Sequence, residues 1–185
     1  MADLRTIRGI ELVKVGTWAA STGDWTVTAD DLASAIKAHQ ANVLRKPVVK
    51  IGHEDPRFDG GPALGYVDNL RLADRGTTLV GDLVNVPGPI AKLLPHAYPD
   101  RSVEALIAYE APDGTTWPLV LTGLALLGAE APAVESLASL QELYGVAAKR
   151  VTLAAPQPHD ANRSRTVAVA AARRRRIHHR LIPKG

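Results

Sequence analysis

Residues 66–86, YVDNLRLADRGTTLVGDLVNV, indicate the fold class most clearly. Two runs rich in Val and Leu flank the sequence DRG, a pattern that predicts a β-hairpin. Further strand-like runs precede and follow this pair: IRGIELVKVGTWA at 7–19, VVKI at 48–51, RSVEALIAYEA at 101–111 and WPLVLTGLALLG at 117–128. The sequence therefore predicts at least six strands before about residue 137.

Two predicted helices interrupt these strands. Thr28 is a typical N-cap residue, and Asp31 three positions later suits a capping box, so we predict a helix at about 29–42. A shorter helix is predicted at 87–97, PGPIAKLLPHA, with prolines at its start. Most connections are too short for crossovers between parallel strands. We therefore expect an α+β, mainly β fold: an antiparallel or mixed β-barrel with helices packed outside it.

Composition excludes several classes of protein. The 185 residues include no cysteine, which excludes disulfides and thiolate metal sites. No apolar run approaches the roughly 20 residues that span a bilayer, and the N-terminus does not resemble a signal peptide. A soluble intracellular protein is the resulting expectation. Motifs for nucleotide binding, HExxH metal sites and GxSxG hydrolases do not occur, so we predict no cofactor and no metal.

Charge is distributed unevenly along the chain. Residues 159–185 hold eight of the 22 Lys and Arg residues but one acid, whereas the remainder has 14 basic and 18 acidic residues. We predict one folded domain at 1–137, followed at 138–185 by a linker, a short helix and a disordered Arg-rich tail. Such a tail is either a solvated end or an arm that contacts nucleic acid.

His53 is the first candidate for catalytic chemistry. It follows the predicted strand VVKI in the sequence KIGHEDP, residues 50–56. Neighbouring strand residues point to opposite faces, so His53, Glu54 and Asp55 converge poorly on one metal ion. A general base is the alternative, and a polar turn without function is a third interpretation.

Ser102 is the candidate nucleophile. Ser21 lies in a predicted turn and Ser34 in a predicted helix, whereas Ser102 begins a strand with Glu104 two residues later on the same face. A serine hydroxyl needs a neighbouring imidazole to accept its proton. We expect His53 to approach Ser102 across the predicted barrel.

Four segments, in this order, resemble a known family: PVVKIGHEDP, PALGYVDNLRL, TTLVGDLVNVP with AYPDRSVEAL, and LTGLALLGAEAPAV. This order resembles the prohead maturation proteases of tailed phages, in the group called Mu-like prophage I proteins, over about residues 7–137. That family is distantly similar to herpesvirus assemblins, which are serine proteases with a β-barrel core wrapped by helices.

The resemblance implies a serine endopeptidase that acts inside the immature capsid, in the host bacterial cytoplasm. It would cleave the internal scaffold and itself, with the scaffold and major capsid protein as partners. His53 matches the general base and Ser102 the nucleophile. The third member is open, because assemblins use a second histidine and no histidine lies between His96 and His159. Glu104 is our choice, with a salt bridge to Arg101 or simple exposure as the alternative. Backbone N–H groups near Arg101 and Gly65 are candidates for the oxyanion hole.

Two other functions remain open. One is a catalytically inactive protein of capsid assembly or scaffold binding, which would fit a C-terminus that is a frame-shifted relic in a prophage. The other is nucleic-acid binding through the basic tail, which predicts binding that weakens steeply with salt.

Overall fold

The computed structural model describes residues 2–20, 23–53, 61–129 and 132–144, all within one unit at 1–148. Its strands are β1 (Leu4–Lys14), β2 (Gly16–Ala20), β3 (Gly23–Val27), β4 (Val48–Ile51), β5 (Tyr66–Ala73), β6 (Thr78–Pro87), β7 (Asp100–Glu110) and β8 (Thr116–Leu127). Its helices are α1 (Ala29–Gln40), α2 (Gly88–Ala97) and α3 (Leu140–Leu143). The fold is mixed α+β and rich in strands, as the sequence predicted. The predicted disordered tail lies outside the described residues.

Local sequence signals placed most of these elements. The hairpin is confirmed: β5 and β6 pair antiparallel, with a short 3-10 turn at Asp74–Gly76 between them. Thr28 caps α1, and a complete capping box joins it to Asp31. α1 ends near Asn42, which has a φ of 53° and cannot continue a right-handed helix. The predicted run 7–19 divides into β1 and β2, and β2 pairs with β3 in a separate two-stranded sheet.

The predicted barrel is wrong. The six remaining strands form an open sheet in the order β1-β6-β5-β4-β8-β7, so that β1 and β7 are its edges. Among the described residues no backbone ladder joins these two edge strands. A side chain links them instead, because the buried Arg101 of β7 donates its Nε–H to the carbonyl oxygen of Glu11 in β1 at 2.7 Å.

The core is aliphatic, as the low aromatic content requires. α1 packs on β8 and β5, with Leu32 and Ala35 of the helix and Leu119 and Leu124 of β8 buried. Residues after β8 join the same core, since Leu140 is fully buried and its N–H donates to the carbonyl of Pro99 at 2.9 Å. Within the described ranges, no helix is long and apolar enough to cross a membrane.

Candidate functional site

Three neighbouring strands bring the candidate residues to one face of the sheet. β8 lies between β4, which runs parallel to it, and β7, which runs antiparallel. Ala125 of β8 has Lys50 of β4 as its partner on one side and Ser102 of β7 on the other. Directly paired residues share a face, so the side chains of Lys50 and Ser102 point to the same side. Glu104, two residues after Ser102, lies on this face as well.

Gly52 directs His53 toward this face. Its N–H donates to the carbonyl of Leu126 at 3.0 Å, which extends the pairing of β4 with β8 by one step. Its φ of 63° then turns the chain in a left-handed conformation that glycine adopts without cost. The imidazole of His53 follows this turn and reaches the carboxylate of Glu104, 51 residues away in sequence. The turn at Gly52 therefore places the residue that follows β4, His53, within hydrogen-bonding distance of Glu104.

His53 and Glu104 form a hydrogen-bonded pair. The distance between Nδ1 of His53 and Oε1 of Glu104 is 3.0 Å, and the ammonium of Lys50 lies 2.9 Å from the same oxygen. Partial burial raises the pKa of Glu104, but hydrogen bonds from Lys50 and His53 outweigh it, so the pKa lies below its ordinary value. An ionised carboxylate only accepts hydrogen bonds, so Nδ1 of a neutral His53 must donate. Its lone pair then resides on Nε2, the atom that a general base uses.

Gly123 makes room for this carboxylate. It is the direct partner of Glu104 on β8, and a Cβ built at position 123 would lie 2.8 Å from Oε2 of Glu104. Because glycine has no side chain, the Glu104 side chain can cross β8 toward Lys50 of β4. The sequence LTGLALLG therefore carries a small residue where the site needs space.

His53, Ser102 and Glu104 line one cleft of about 750 Å³. Residues that point to either face of β7 contribute to it, among them Val103 and Ala105, so the cleft follows the outer edge of this strand, which is free of a further strand among the described residues. Trp25 of β3 and the segment at 132–137 form other parts of its wall. Glu104 also borders a second cleft of about 640 Å³, which Lys50 and Thr122 line.

Ser102 lies in this cleft, half-buried, near the start of β7. Within the part of the chain that the structure describes, no hydrogen bond joins its hydroxyl to His53. Ser34 is buried in α1, where its Oγ accepts the N–H of Leu119 at 3.4 Å, and it has no place in the cleft. Ser21 lies outside the described residues. Of the described serines that we considered, Ser102 is the one beside the His53–Glu104 pair.

The residues that flank His53 and Ser102 in sequence have different outcomes. Glu54 and Asp55 lie outside the described residues. Glu104 pairs with Lys50 and His53, whereas the guanidinium of Arg101 binds the carbonyl oxygens of Glu11 and Ala138. The alternative salt bridge between Arg101 and Glu104 is therefore not what this geometry contains.

Gly65 has a conformational reason to be glycine. It has a φ of 125°, and a Cβ there would lie 2.6 Å from the carbonyl oxygen of Val84. That close approach accounts for the residue type without any role in an oxyanion hole, which stays a prediction for Gly65 and for the backbone near Arg101. Among the described residues, no group of three His, Cys, Asp or Glu side chains is placed to hold a metal ion.

Sequence reasoning missed Lys50 and Gly52 although both lie in the motif KIGHEDP. A lysine inside a strand is typical of a solvated face. Nothing in the sequence shows that β7, which carries Glu104, will lie two strands away from β4 in the sheet. Gly52 was the easier of the two to find, because a glycine directly after a strand and before a polar residue often marks a turn.

The chain matches no protein-family model, no curated protein and no solved structure. The likeness to prohead proteases therefore rests on the four sequence segments.

Proposed function

We propose that this chain is a serine endopeptidase in which Ser102 is the nucleophile, His53 the general base and Glu104 the acid that orients it. The observation that carries this proposal is the 3.0 Å contact between His53 Nδ1 and Glu104 Oε1, in the same cleft as Ser102. A serine, an imidazole and an ionised carboxylate in one cleft are the groups that acyl transfer by a serine hydroxyl requires.

The proposed mechanism follows from where the protons of His53 and Ser102 lie. Nε2 of His53 accepts the hydroxyl proton of Ser102 as the oxygen attacks a peptide carbonyl, and backbone N–H groups stabilise the oxyanion. Glu104 stabilises the imidazolium that forms. His53 then protonates the leaving amine, and a water molecule, activated by the same nitrogen, releases the acyl group from Ser102. The side chain of His53 is 40% exposed, so the imidazole is not sealed from a substrate that enters the cleft.

The free edge of β7 suits an extended peptide as substrate. Edge strands present unpaired backbone donors and acceptors, to which a peptide adds as a further strand. The cleft follows this edge and includes Ser102, so a peptide paired with β7 passes the nucleophile. On the resemblance stated above, the substrate is the internal scaffold of a phage prohead, together with this chain itself. The site of action is then the immature capsid in the host cytoplasm, with the major capsid protein as a further partner.

A second candidate is an inactive capsid-assembly protein that retains the fold. It is favoured by one observation: no hydrogen bond between His53 and Ser102 occurs among the described residues. Catalytic hydrogen bonds often tighten only when substrate binds, so this observation does not outweigh the pairing of His53 with Glu104. Nucleic-acid binding through the basic tail is a proposal that the described residues do not address.

Cleavage of a prohead scaffold protein tests the choice between these functions. The wild type, Ser102→Ala and His53→Ala are each incubated with that protein, and intact masses are followed over time. We expect fragments from the wild type alone. Absence of fragments with all three folded proteins would favour the inactive assembly protein, and fragments that persist in Ser102→Ala would exclude Ser102 as the nucleophile.

A further inference from the structure

Lys50 has a position that the proposed triad does not explain. It lies on β4, and its side chain is 23% exposed where it lines the second cleft beside Glu104. Its Nζ lies 2.9 Å from Oε1 of Glu104, the same oxygen that contacts His53. A lysine with no function in a site is more often directed to open solvent, because its ammonium is strongly hydrated.

The shared oxygen constrains the carboxylate. A glutamate side chain has three rotatable bonds, and one contact to an imidazole does not fix all of them. A second donor from β4 holds Oε1 from another direction, while the absent side chain at Gly123 leaves the path across β8 open. Lys50 thus anchors Glu104 to a strand that does not carry it.

This anchoring has a consequence for His53. The contact with Lys50 favours the ionised carboxylate, which cannot donate to the ring. As long as the carboxylate stays ionised and in place, the neutral imidazole keeps its proton on Nδ1 and its lone pair on Nε2. If the carboxylate moved away, the ring would be free to adopt the opposite tautomer, in which Nε2 cannot accept a proton.

We propose that Lys50 is a positioning residue that holds the Glu104 carboxylate against Nδ1 of His53 and thereby fixes the tautomer with the lone pair on Nε2. Its importance for turnover rests on the proposed protease function, whereas its effect on the ring does not. Lys50 does not exchange protons with substrate in this scheme. It acts through Glu104 alone.

Ring nitrogen chemical shifts of His53 test the proposal directly. The full chain is labelled with ¹⁵N-histidine, His53 is assigned by comparison with His53→Gln, and spectra are recorded at pH 8, above the ordinary imidazole pKa. In the wild type we expect a protonated Nδ1 and an unprotonated Nε2. In Lys50→Met the two shifts should move toward each other as the tautomers mix. Lys50→Arg, which keeps a charged donor, should restore most of the wild-type pattern.

Lys46→Met is the matched control. Lys46 lies just before β4 and forms an ion pair with Asp68 of β5, not with Glu104, so its loss removes the same charge elsewhere. It should leave the shifts of His53 unchanged. Gly123→Ala is the second variant, in case Lys50→Met does not fold: its Cβ displaces the Glu104 carboxylate without changing any charge, and it should mix the tautomers in the same way.

Cleavage assays on the same variants separate this inference from the proposed function. We expect kcat of Lys50→Met to fall about 10-fold with KM nearly unchanged, because the base and not the peptide site is affected. Unchanged His53 shifts in folded Lys50→Met, or in folded Gly123→Ala should Lys50→Met not fold, would overturn the inference even if the wild type cleaves. Mixed tautomers without cleavage by any form would support the inference and count against the protease.

Discussion

At the residue scale, the carboxylate of Glu104 determines what the cleft can do chemically. It accepts from Lys50 and His53 through a single oxygen, at 2.9 and 3.0 Å. Both contacts stabilise its charged form, so its pKa stays below the ordinary value although the side chain is partly buried. A charged acceptor against Nδ1 leaves the lone pair of a neutral His53 on Nε2, which is the tautomer that the proposed general base requires.

Replacing Glu104 with Gln tests this role. The amide is nearly isosteric but uncharged, and it can donate as well as accept, so His53 loses both its fixed tautomer and the stabilisation of its imidazolium. We expect kcat for peptide cleavage to fall about 100-fold or more, with KM changed little. Glu110→Gln, at the exposed far end of the same strand, is the control and should cleave at the wild-type rate. Wild-type kcat in Glu104→Gln would remove Glu104 from the mechanism.

The sequence predicted the types of residue in this site better than their contacts. His53 and Ser102 are candidates on their own residues, Glu104 is the choice made on the resemblance to prohead proteases, and all three line one cleft. The contact between Lys50 of β4 and Glu104 of β7 crosses the intervening strand β8, and it depends on the parallel pairing of β4 with β8. No local periodicity encodes which strands become neighbours, so Lys50 could not be assigned before the topology was known.

At the element scale, the end of β4 is the critical junction, because Gly52 turns the chain from the strand to His53. Its φ of 63° is unfavourable for any residue with a Cβ, although no described residue would lie within 4 Å of that Cβ. Elements with strong local signals, such as α1 with its capping box and the β5–β6 hairpin, were predicted correctly. The turn at Gly52 has no comparable signature beyond the glycine itself.

Gly52→Ala should therefore reduce stability and activity together. The left-handed conformation costs alanine about 1 kcal/mol, and the chain relieves this strain by moving His53. Gly76→Ala is the matched control, since Gly76 also has a positive φ and open space but lies in the β5–β6 turn. Urea unfolding should give a similar loss for both variants, whereas cleavage should slow only in Gly52→Ala. Equal cleavage by the two variants would contradict the role of this turn.

Asp68 links three elements and predicts how stability depends on pH. It accepts from His39 of α1 at 3.0 Å and pairs with Lys46 before β4, while lying itself on β5. The hydrogen bond from Lys46, followed by smaller contributions from His39 and Asn69, outweighs desolvation and lowers the pKa of Asp68 from 3.8 to about 2. A depressed pKa contributes stability that is present above 3.8 and is lost as the pH falls through about 2.

Asp68→Asn should thus destabilise the protein at neutral pH and progressively less in acid. Because Lys46 is half-exposed and its ion pair is screened by solvent, we expect a loss of about 1 kcal/mol at pH 7. Urea unfolding of both proteins at several pH values between 7 and 3 measures the difference. It should narrow below about pH 4, because the Asp68 carboxyl of the unfolded wild type binds a proton there, whereas in the folded protein its pKa is about 2. A difference that stays constant over this range would show that the charge of Asp68 is not what stabilises the junction.

At the scale of the whole molecule, Arg101 replaces the backbone pairing that would close a barrel. Its Nε–H donates to the carbonyl of Glu11 on β1, and Nη1 donates to the carbonyl of Ala138, both at 2.7 Å. Burial lowers the pKa of Arg101 to about 10, which still leaves it charged at neutral pH. The barrel prediction failed because strand patterns reveal the number of strands but not whether the outermost two pair.

Arg101→Ala should destabilise the domain by about 3 kcal/mol, because two partly buried carbonyl groups lose their donor and the buried guanidinium leaves a cavity. Arg101→Lys should recover only part of this loss, since an ammonium does not reproduce the fork that reaches both carbonyls. Arg8→Ala, on the exposed face of β1, should change the free energy of unfolding by less than about 0.5 kcal/mol. Urea unfolding measures all three, and an effect of Arg101→Ala as small as that of Arg8→Ala would refute the link.

We propose that Ser102 is a nucleophile activated by His53 and Glu104, and the reactivity of its hydroxyl can be measured without knowing the substrate. A fluorophosphonate probe reacts with activated serine hydroxyls and not with ordinary ones. The full chain is incubated with the probe, and the intact mass and the modified residue are determined by mass spectrometry. We predict one adduct, on Ser102, that is absent in Ser102→Ala, strongly reduced in His53→Ala and Glu104→Gln, and unchanged in Glu110→Gln. A folded wild type that forms no adduct, or one whose adduct forms equally fast without His53, would contradict the account.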